Sequence, residues 1–135
     1  MDLSNEVREK LIQTALQVRE WAYVPYSGYR VGAALLSASG KIYDGVNIEN
    51  ASYSPTVCAE RVAVFKAVSD GERQFVAIAV ASDNGGSPCG VCRQVMAEFG
   101  LDLHVIGIDK DANVTYECSL KELLPKAFTP ADLTE

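Results

Sequence analysis

What is scarce in this chain narrows its function before any motif is read. No apolar run approaches the roughly 20 residues of a membrane-spanning helix; the longest, such as 75–81, stop far short. No basic cluster is present either. Twelve Lys and Arg stand singly against eighteen Asp and Glu, a formal charge of −6, so a polyanion is repelled and nucleic acid finds no basic face to bind. The first residues, Met-Asp-Leu-Ser-Asn-Glu, lack the basic start and apolar core of a secretion signal, which leads to an expected cytoplasmic location. Cysteine is limited to four residues. In a reducing compartment, closely spaced cysteines point to metal binding or catalysis rather than disulfides. The single histidine, His104, falls inside an apolar strand pattern, reads as a core or edge residue, and is left out of the candidate site.

What is present fits one globular domain over residues 1–135, with 48% hydrophobic and 22% charged residues and no internal repeat or linker. Residues 3–22 carry Leu11, Ile12, Ala15 and Leu16 at helical spacing, with Ser4 or Asn5 as N-cap. Residues 29–37 and 41–48 are β-prone runs separated by a turn at Gly40, the pattern of a hairpin. Residues 58–69 form a helix apolar on most sides, which must be covered on more than one face by its own sheet or another subunit. The run 74–81 reads as a central strand buried on both faces. Residues 89–99 make a helix closed by Gly100, followed by strands at 103–108 and 114–118. Five residues between those strands are too few for a parallel crossover, so the last strand returns antiparallel. Ser119 to Glu122 fits a capping box opening a short helix that Pro125 ends. The expectation is a three-layer α/β fold, a mixed five-stranded sheet with helices on both faces, in the order αββαβαββα.

Cys58-Ala59-Glu60 opens one helix and Pro88-Cys89-Gly90-Val91-Cys92 opens the next. Helix N-termini carry partial positive charge, which lowers thiol pKa and favours the thiolate that a metal requires. Cys89 and Cys92 lie three apart on one helical face and can bite a single ion, with Cys58 giving a third bond. Three ligands leave an open corner, the mark of a catalytic rather than a structural zinc. The spacing follows the established signature of zinc base deaminases, Cys or His, one residue, then Glu, with a later Pro-Cys-x-x-Cys.

The resemblance goes further. The motifs Tyr29-Arg30-Val31-Gly32-Ala33-Ala34-Leu35, Asn47-Ile48-Glu49-Asn50, Cys58-Ala59-Glu60-Arg61 and Pro88-Cys89-Gly90-Val91-Cys92-Arg93-Gln94 resemble the small, homotetrameric cytidine deaminases with an all-cysteine zinc site, over nearly the whole chain to Phe128. That resemblance implies one Zn²⁺ on Cys58, Cys89 and Cys92, and hydrolytic deamination of cytidine and 2′-deoxycytidine in pyrimidine salvage. Glu60 becomes the proton shuttle to N3 and to the leaving ammonia. Three thiolates and Zn²⁺ sum to −1, and Arg61 is the natural donor that offsets this charge. Asn47 and Glu49 map onto the pair that holds the ribose 3′-hydroxyl; Glu49 would repel a 3′-phosphate, favouring a free nucleoside. The Ala59 N–H would meet the base carbonyl, and Phe128 resembles the aromatic that a neighbouring subunit lends to the base. At Tyr29 the family more often has Phe, so a hydroxyl enters the substrate wall.

Three other readings are open at this point. Cys118 as a fourth ligand would give a closed structural zinc and no enzyme. A related deaminase could act on another small aminated heterocycle, such as a blasticidin-type nucleoside antibiotic, although Asn47 and Glu49 argue for a nucleoside. A nucleic-acid editor is disfavoured by charge and by the short loop before the last strand.

Overall fold

The computed structural model describes residues 3–133. The Ser4 hydroxyl accepts a hydrogen bond from the Val7 N–H at 3.2 Å and caps helix α1 (Asn5–Val18), which buries Leu11, Ile12 and Ala15. The helix is shorter than its apolar pattern predicts. Arg19–Trp21 tighten into a 3₁₀ turn, because Tyr23 leaves the helix to exchange backbone bonds with Asn47 and Glu49, and Pro25 holds Val24 out of the helical region.

Strand β1 (Gly32–Ser37) lies between β2 (Ile42–Val46) and β3 (Phe75–Ala81), antiparallel to both. β3 pairs in parallel with β4 (His104–Ile108), and β5 (Val114–Ser119) returns antiparallel beside β4. The order across the sheet is β2-β1-β3-β4-β5. Helix α2 (Ala59–Ser69) follows β2, α3 (Gly90–Ala97) follows β3, and α4 (Leu120–Leu123) follows β5. The observed order is thus the expected αββαβαββα, and the sheet is mixed and five-stranded as read from the sequence.

Apolar residues are continuous along β1 and β3 because both faces are covered. Ala34, Leu36, Ala77, Ala79, Ile106 and Ile108 pack with Leu11, Ile12 and Ala15 of α1. The alternate residues Ala33, Leu35, Ile78, Val80 and Val105 pack with Ala63 and Val64 of α2 and Met96 of α3. Glycine lets the layers approach. A Cβ on Gly32 would sit 2.2 Å from the Ala15 carbonyl oxygen, and one on Gly45 would sit 2.6 Å from both the Ala59 oxygen and the Ala63 nitrogen. The first turn of α2 therefore rests directly on the β2 backbone.

Several boundaries differ from the sequence reading for local reasons. β1 begins at Gly32 rather than residue 29, since the Asn47 side chain takes over the backbone there, accepting from the Val31 N–H at 3.0 Å and donating to the Tyr29 carbonyl at 2.7 Å. α3 ends at Ala97, with the next bonds, from Phe99 to Met96 and from Gly100 to Ala97, being of the tighter i to i−3 kind. The expected capping box at Ser119 does not form: its hydroxyl meets the Glu122 carboxylate at 3.4 Å and caps no backbone N–H. A second 3₁₀ turn, Pro130–Asp132, had no counterpart in the reading; there the Thr129 N–H donates to Asp132 at 2.8 Å.

Arg8 of α1 grips Glu117 of β5 through two hydrogen bonds, at 2.5 and 3.1 Å, and His104 meets the same carboxylate at 2.6 Å. His104, at the start of the interior strand β4, is thereby a satisfied histidine outside the sulfur cluster, in keeping with its being left out of the candidate site. The Arg8 hydrogen bond, followed by that of His104, holds the Glu117 carboxyl down to about 2 against an ordinary 4.5. A depressed carboxyl contributes stability above the unfolded-state value that is lost as pH falls toward the folded one. Glu117→Gln should cost about 1 kcal/mol at neutral pH, and its deficit relative to wild type should shrink between pH 4.5 and 2, checked by urea unfolding across that range. Gly45→Ala should cost about 1–3 kcal/mol by wedging α2 off the sheet, measured the same way at pH 7.

Candidate active site

Three strand ends converge at one edge of the sheet. Gly32, where β1 begins, lies opposite Val46 at the end of β2 and Ala81 at the end of β3. From these two strand ends the chain runs through residues 47–57 to α2 and through 82–88 to α3. Cys58 and Cys89 are the N-cap residues of the two helices, both in extended backbone, so each sulfur sits where the helix presents its unpaired N–H groups.

The Cys58 and Cys89 sulfurs are 3.7 Å apart, and those of Cys58, Cys89 and Cys92 all lie within 4.8 Å of one another. Zn–S bonds of about 2.3 Å in a tetrahedron set their sulfurs roughly 3.8 Å apart, so the donor set fits a zinc ion. The Cys92 N–H reaches the Cys89 sulfur at 3.4 Å, and Arg61 Nη2 reaches the Cys58 sulfur at 3.5 Å. Hydrogen bonding from the Cys92 thiol, then from Arg61 and Cys89, pulls the Cys58 thiol down to about 5. The same contact pushes Cys92 upward, with burial and the Glu60 charge adding to it. Of Cys58 and Cys92, Cys58 is therefore the one that gives up its proton first. Arg61 Nε is buried with no hydrogen-bond partner among the described residues, so the guanidinium is committed to the sulfurs by position.

Glu60, in the first turn of α2, is 4% exposed. Burial, reinforced by the negative charge of Cys58 and opposed by Arg61, raises its carboxyl to about 7. It lines a cavity of about 190 Å³ together with Cys58, Cys89, Asn47, Tyr29 and Ser82. A larger groove of about 620 Å³ runs along α2 past Val62, Phe65 and Tyr43. That groove holds no sulfur and no buried acid, and the chemistry belongs to the smaller cavity.

The structure brings most of the expected residues to this place. Asn47 is fixed by the bonds its side chain makes to the backbone of residues 29 and 31, just before β1. Ala59 is fully buried as the first residue of α2, where its N–H has no carbonyl four residues back. The Tyr29 hydroxyl donates to Asn84 Oδ1 at 2.6 Å, so the extra oxygen in the cavity wall is anchored to the 82–88 loop. Two residues sit apart. Glu49 lines an adjacent cavity with Tyr26, Ser27, Tyr53 and Thr56 and accepts from the Tyr26 and Ser27 N–H groups and the Ser27 hydroxyl, contacts led by the hydroxyl that lower its pKa. Phe128 is 58% exposed, its carbonyl taking a hydrogen bond from Gln94 at 2.8 Å. Cys118 is on β5 opposite Val105, outside the sulfur cluster, so a closed site of four cysteines does not form.

Sequence reasoning missed what holds the 82–88 loop. Ser82 Oγ accepts from the Gly85 and Gly86 N–H groups at 3.0 and 3.2 Å, Thr115 donates to the Gly85 carbonyl at 2.7 Å, and Arg19 pairs with Asp83. A serine just past an apolar strand and before Gly-Gly carried the signal for the first of these.

The sequence matches the Cytidine and deoxycytidylate deaminase zinc-binding region over residues 5–108. The chain belongs to that family. Cytidine deaminases of Sporosarcina psychrophila and Halalkalibacterium halodurans are 52% and 50% identical to it, covering 93% and 95% of this chain and 94% and 98% of their own lengths. The crystal structure of cytidine deaminase from Burkholderia pseudomallei superposes with a TM-score of 0.85 at 44% identity, covering 93% of this chain and all of that one. The family match covers a zinc-binding region, and the three clustered sulfurs are a group able to hold a metal ion. Metal analysis of purified variants should find Cys118→Ala holding one zinc per chain as the wild type does, and Cys92→Ala losing it.

Proposed function

We propose that this chain is a zinc-dependent hydrolase that converts cytidine and 2′-deoxycytidine to the uridine products with release of ammonia. The observation that carries this is a buried carboxyl, Glu60, titrating near neutrality in the same small cavity as two of the three clustered sulfurs. Zinc held by Cys58, Cys89 and Cys92 supplies, when bound, a water acidic enough to attack the pyrimidine at C4. The protein supplies the proton traffic. Glu60 accepts a proton from water, gives one to N3 of the ring as C4 becomes tetrahedral, and passes one to the departing amine. A carboxyl poised near the working pH does both halves of that exchange with little driving force wasted. Arg61, hydrogen-bonded to Cys58, offsets the excess negative charge of three thiolates.

Substrate contacts follow from what each group still has free. The Asn47 amide uses one acceptor position and one N–H on the backbone of 29–31, leaving one N–H and one lone pair for a ribose hydroxyl. Glu49, lining the neighbouring cavity, accepts three hydrogen bonds from the 26–27 loop, and a carboxylate has about four acceptor positions, so one remains for a ribose hydroxyl that extends toward it while its charge turns away a 3′-phosphate. The Ala59 N–H is assigned to the base carbonyl and Tyr29 to the wall against the ring.

The same reading makes the enzyme a homotetramer with sites completed across subunits. A cavity of about 190 Å³ is below the roughly 300 Å³ at which ligand pockets begin, so a whole nucleoside needs further walls. Phe65 on α2 is 49% exposed beside the open groove, and Phe128 stands free to reach a neighbour. No helix among the described residues is long and apolar enough to cross a membrane, and together with the net charge of −6 this supports a cytoplasmic enzyme of free nucleosides rather than of nucleic acid. Glu60→Gln should retain one zinc per chain while lowering kcat for cytidine by roughly 10²–10⁴-fold, followed by ultraviolet absorbance. Full zinc with near wild-type turnover would dismiss Glu60 as the proton carrier.

A further inference from the structure

Cys89 is the most exposed arm of the sulfur cluster, its sulfur accepting from the Cys92 N–H. Cys92 is buried within α3, and Cys58 is tied to Arg61, whereas Cys89 is exposed at the end of the 82–88 loop. The restraints from Ser82 and Thr115 stop at Gly86. Beyond that point, every hydrogen bond that Ser87 and Pro88 make among the described residues comes from one side chain. Arg93 Nε donates to the Pro88 carbonyl at 2.7 Å and Nη2 to the Ser87 hydroxyl at 2.8 Å. Nη1 of the same guanidinium donates to the Leu123 carbonyl at 2.6 Å, at the end of α4, where helical carbonyls run out of helical partners.

We propose that Arg93 is a positioning residue for the metal centre, fixing the backbone that delivers Cys89 against the helix that delivers Cys92 and referring both to α4. The inference rests on the zinc reading above. A planar guanidinium offers donors in three fixed directions, and the three acceptors lie on two different segments. A lysine ammonium in the same place keeps the charge but cannot reproduce that fork. Groups that orient metal ligands from outside the ligand shell typically alter metal affinity 10–100-fold when replaced. Arg93 touches no reacting atom, so its effect is on how firmly the third sulfur is held.

The test uses zinc-loaded wild type, Arg93→Lys and Ser87→Ala, each folded by circular dichroism, challenged with a chromogenic chelator below the unfolding temperature. Arg93→Lys should release zinc at least about tenfold faster. Ser87→Ala, which removes a single contact, should release it about threefold faster, the equivalent of one weak hydrogen bond; it carries the test should the lysine variant not fold. After Co²⁺ replaces zinc, the thiolate-to-metal absorption of Arg93→Lys should also shift or weaken. A purely structural role would lower the melting temperature without moving release or spectrum. Wild-type release rates in both variants would overturn the proposal, whereas a wild type that takes up no zinc would overturn the reading on which it rests.

Discussion

Three sulfurs held within 4.8 Å of one another form a high-energy arrangement unless positive charge surrounds it, and much of this fold is the means of providing that charge. Two helix N-termini point at the cluster, each with a cysteine as its cap, and one guanidinium lies against it. Partial charges of helix ends fade within the first turn, so the helices must be brought in by their tips. The bare glycine at position 45 is what admits the tip of α2 to the sheet. The electrostatics of the centre thus depend on how closely the first turn of α2, next to Cys58, packs on β2.

The same burial that shapes the sulfur cluster sets the acid beside it. Glu60 lies between a thiolate that pushes its proton affinity up and an arginine that pulls it down, with desolvation the larger effect. Its neighbour Arg61 faces the sulfurs. Consecutive residues on one helical turn therefore divide the work: one carries the proton and the next balances the metal. This division is available because the inner face of α2 is buried, through Ala59, Ala63, Val64 and Ala67, which leaves little water to screen the Glu60 carboxyl.

Much of this was legible in the chain. The element order, the antiparallel return of the last strand and the clustering of Cys58, Cys89 and Cys92 follow from periodicity, loop length and spacing, all of them local properties. What escaped was made by side chains that replace backbone bonds. β1 starts three residues late relative to its β-prone run because the Asn47 amide takes the place of a strand neighbour at 29–31. The Ser119 box failed because its hydroxyl turned to a carboxylate instead of an N–H. Arg93 reads as one more helical cation, and only the return of α4 to within 2.6 Å of it shows what it holds. Glu49 stands two residues from Asn47, yet its carboxylate lines the neighbouring cavity and accepts its hydrogen bonds from the 26–27 loop.

The turn between β4 and β5 is closed by Asp109, whose carboxylate accepts from the Asp111 and Asn113 backbones, and it needs Ala112 in the left-handed region. It belongs to neither segment that carries the sulfurs. Asp109 and Lys110 meet Asn84 and Asp83 of the loop that leads to Cys89, so new amino acids spliced in past them, at 111–112, would lengthen the bend and spare the segments that carry the metal donors. Fusion partners, tethers or surface anchors are best attached at this bend.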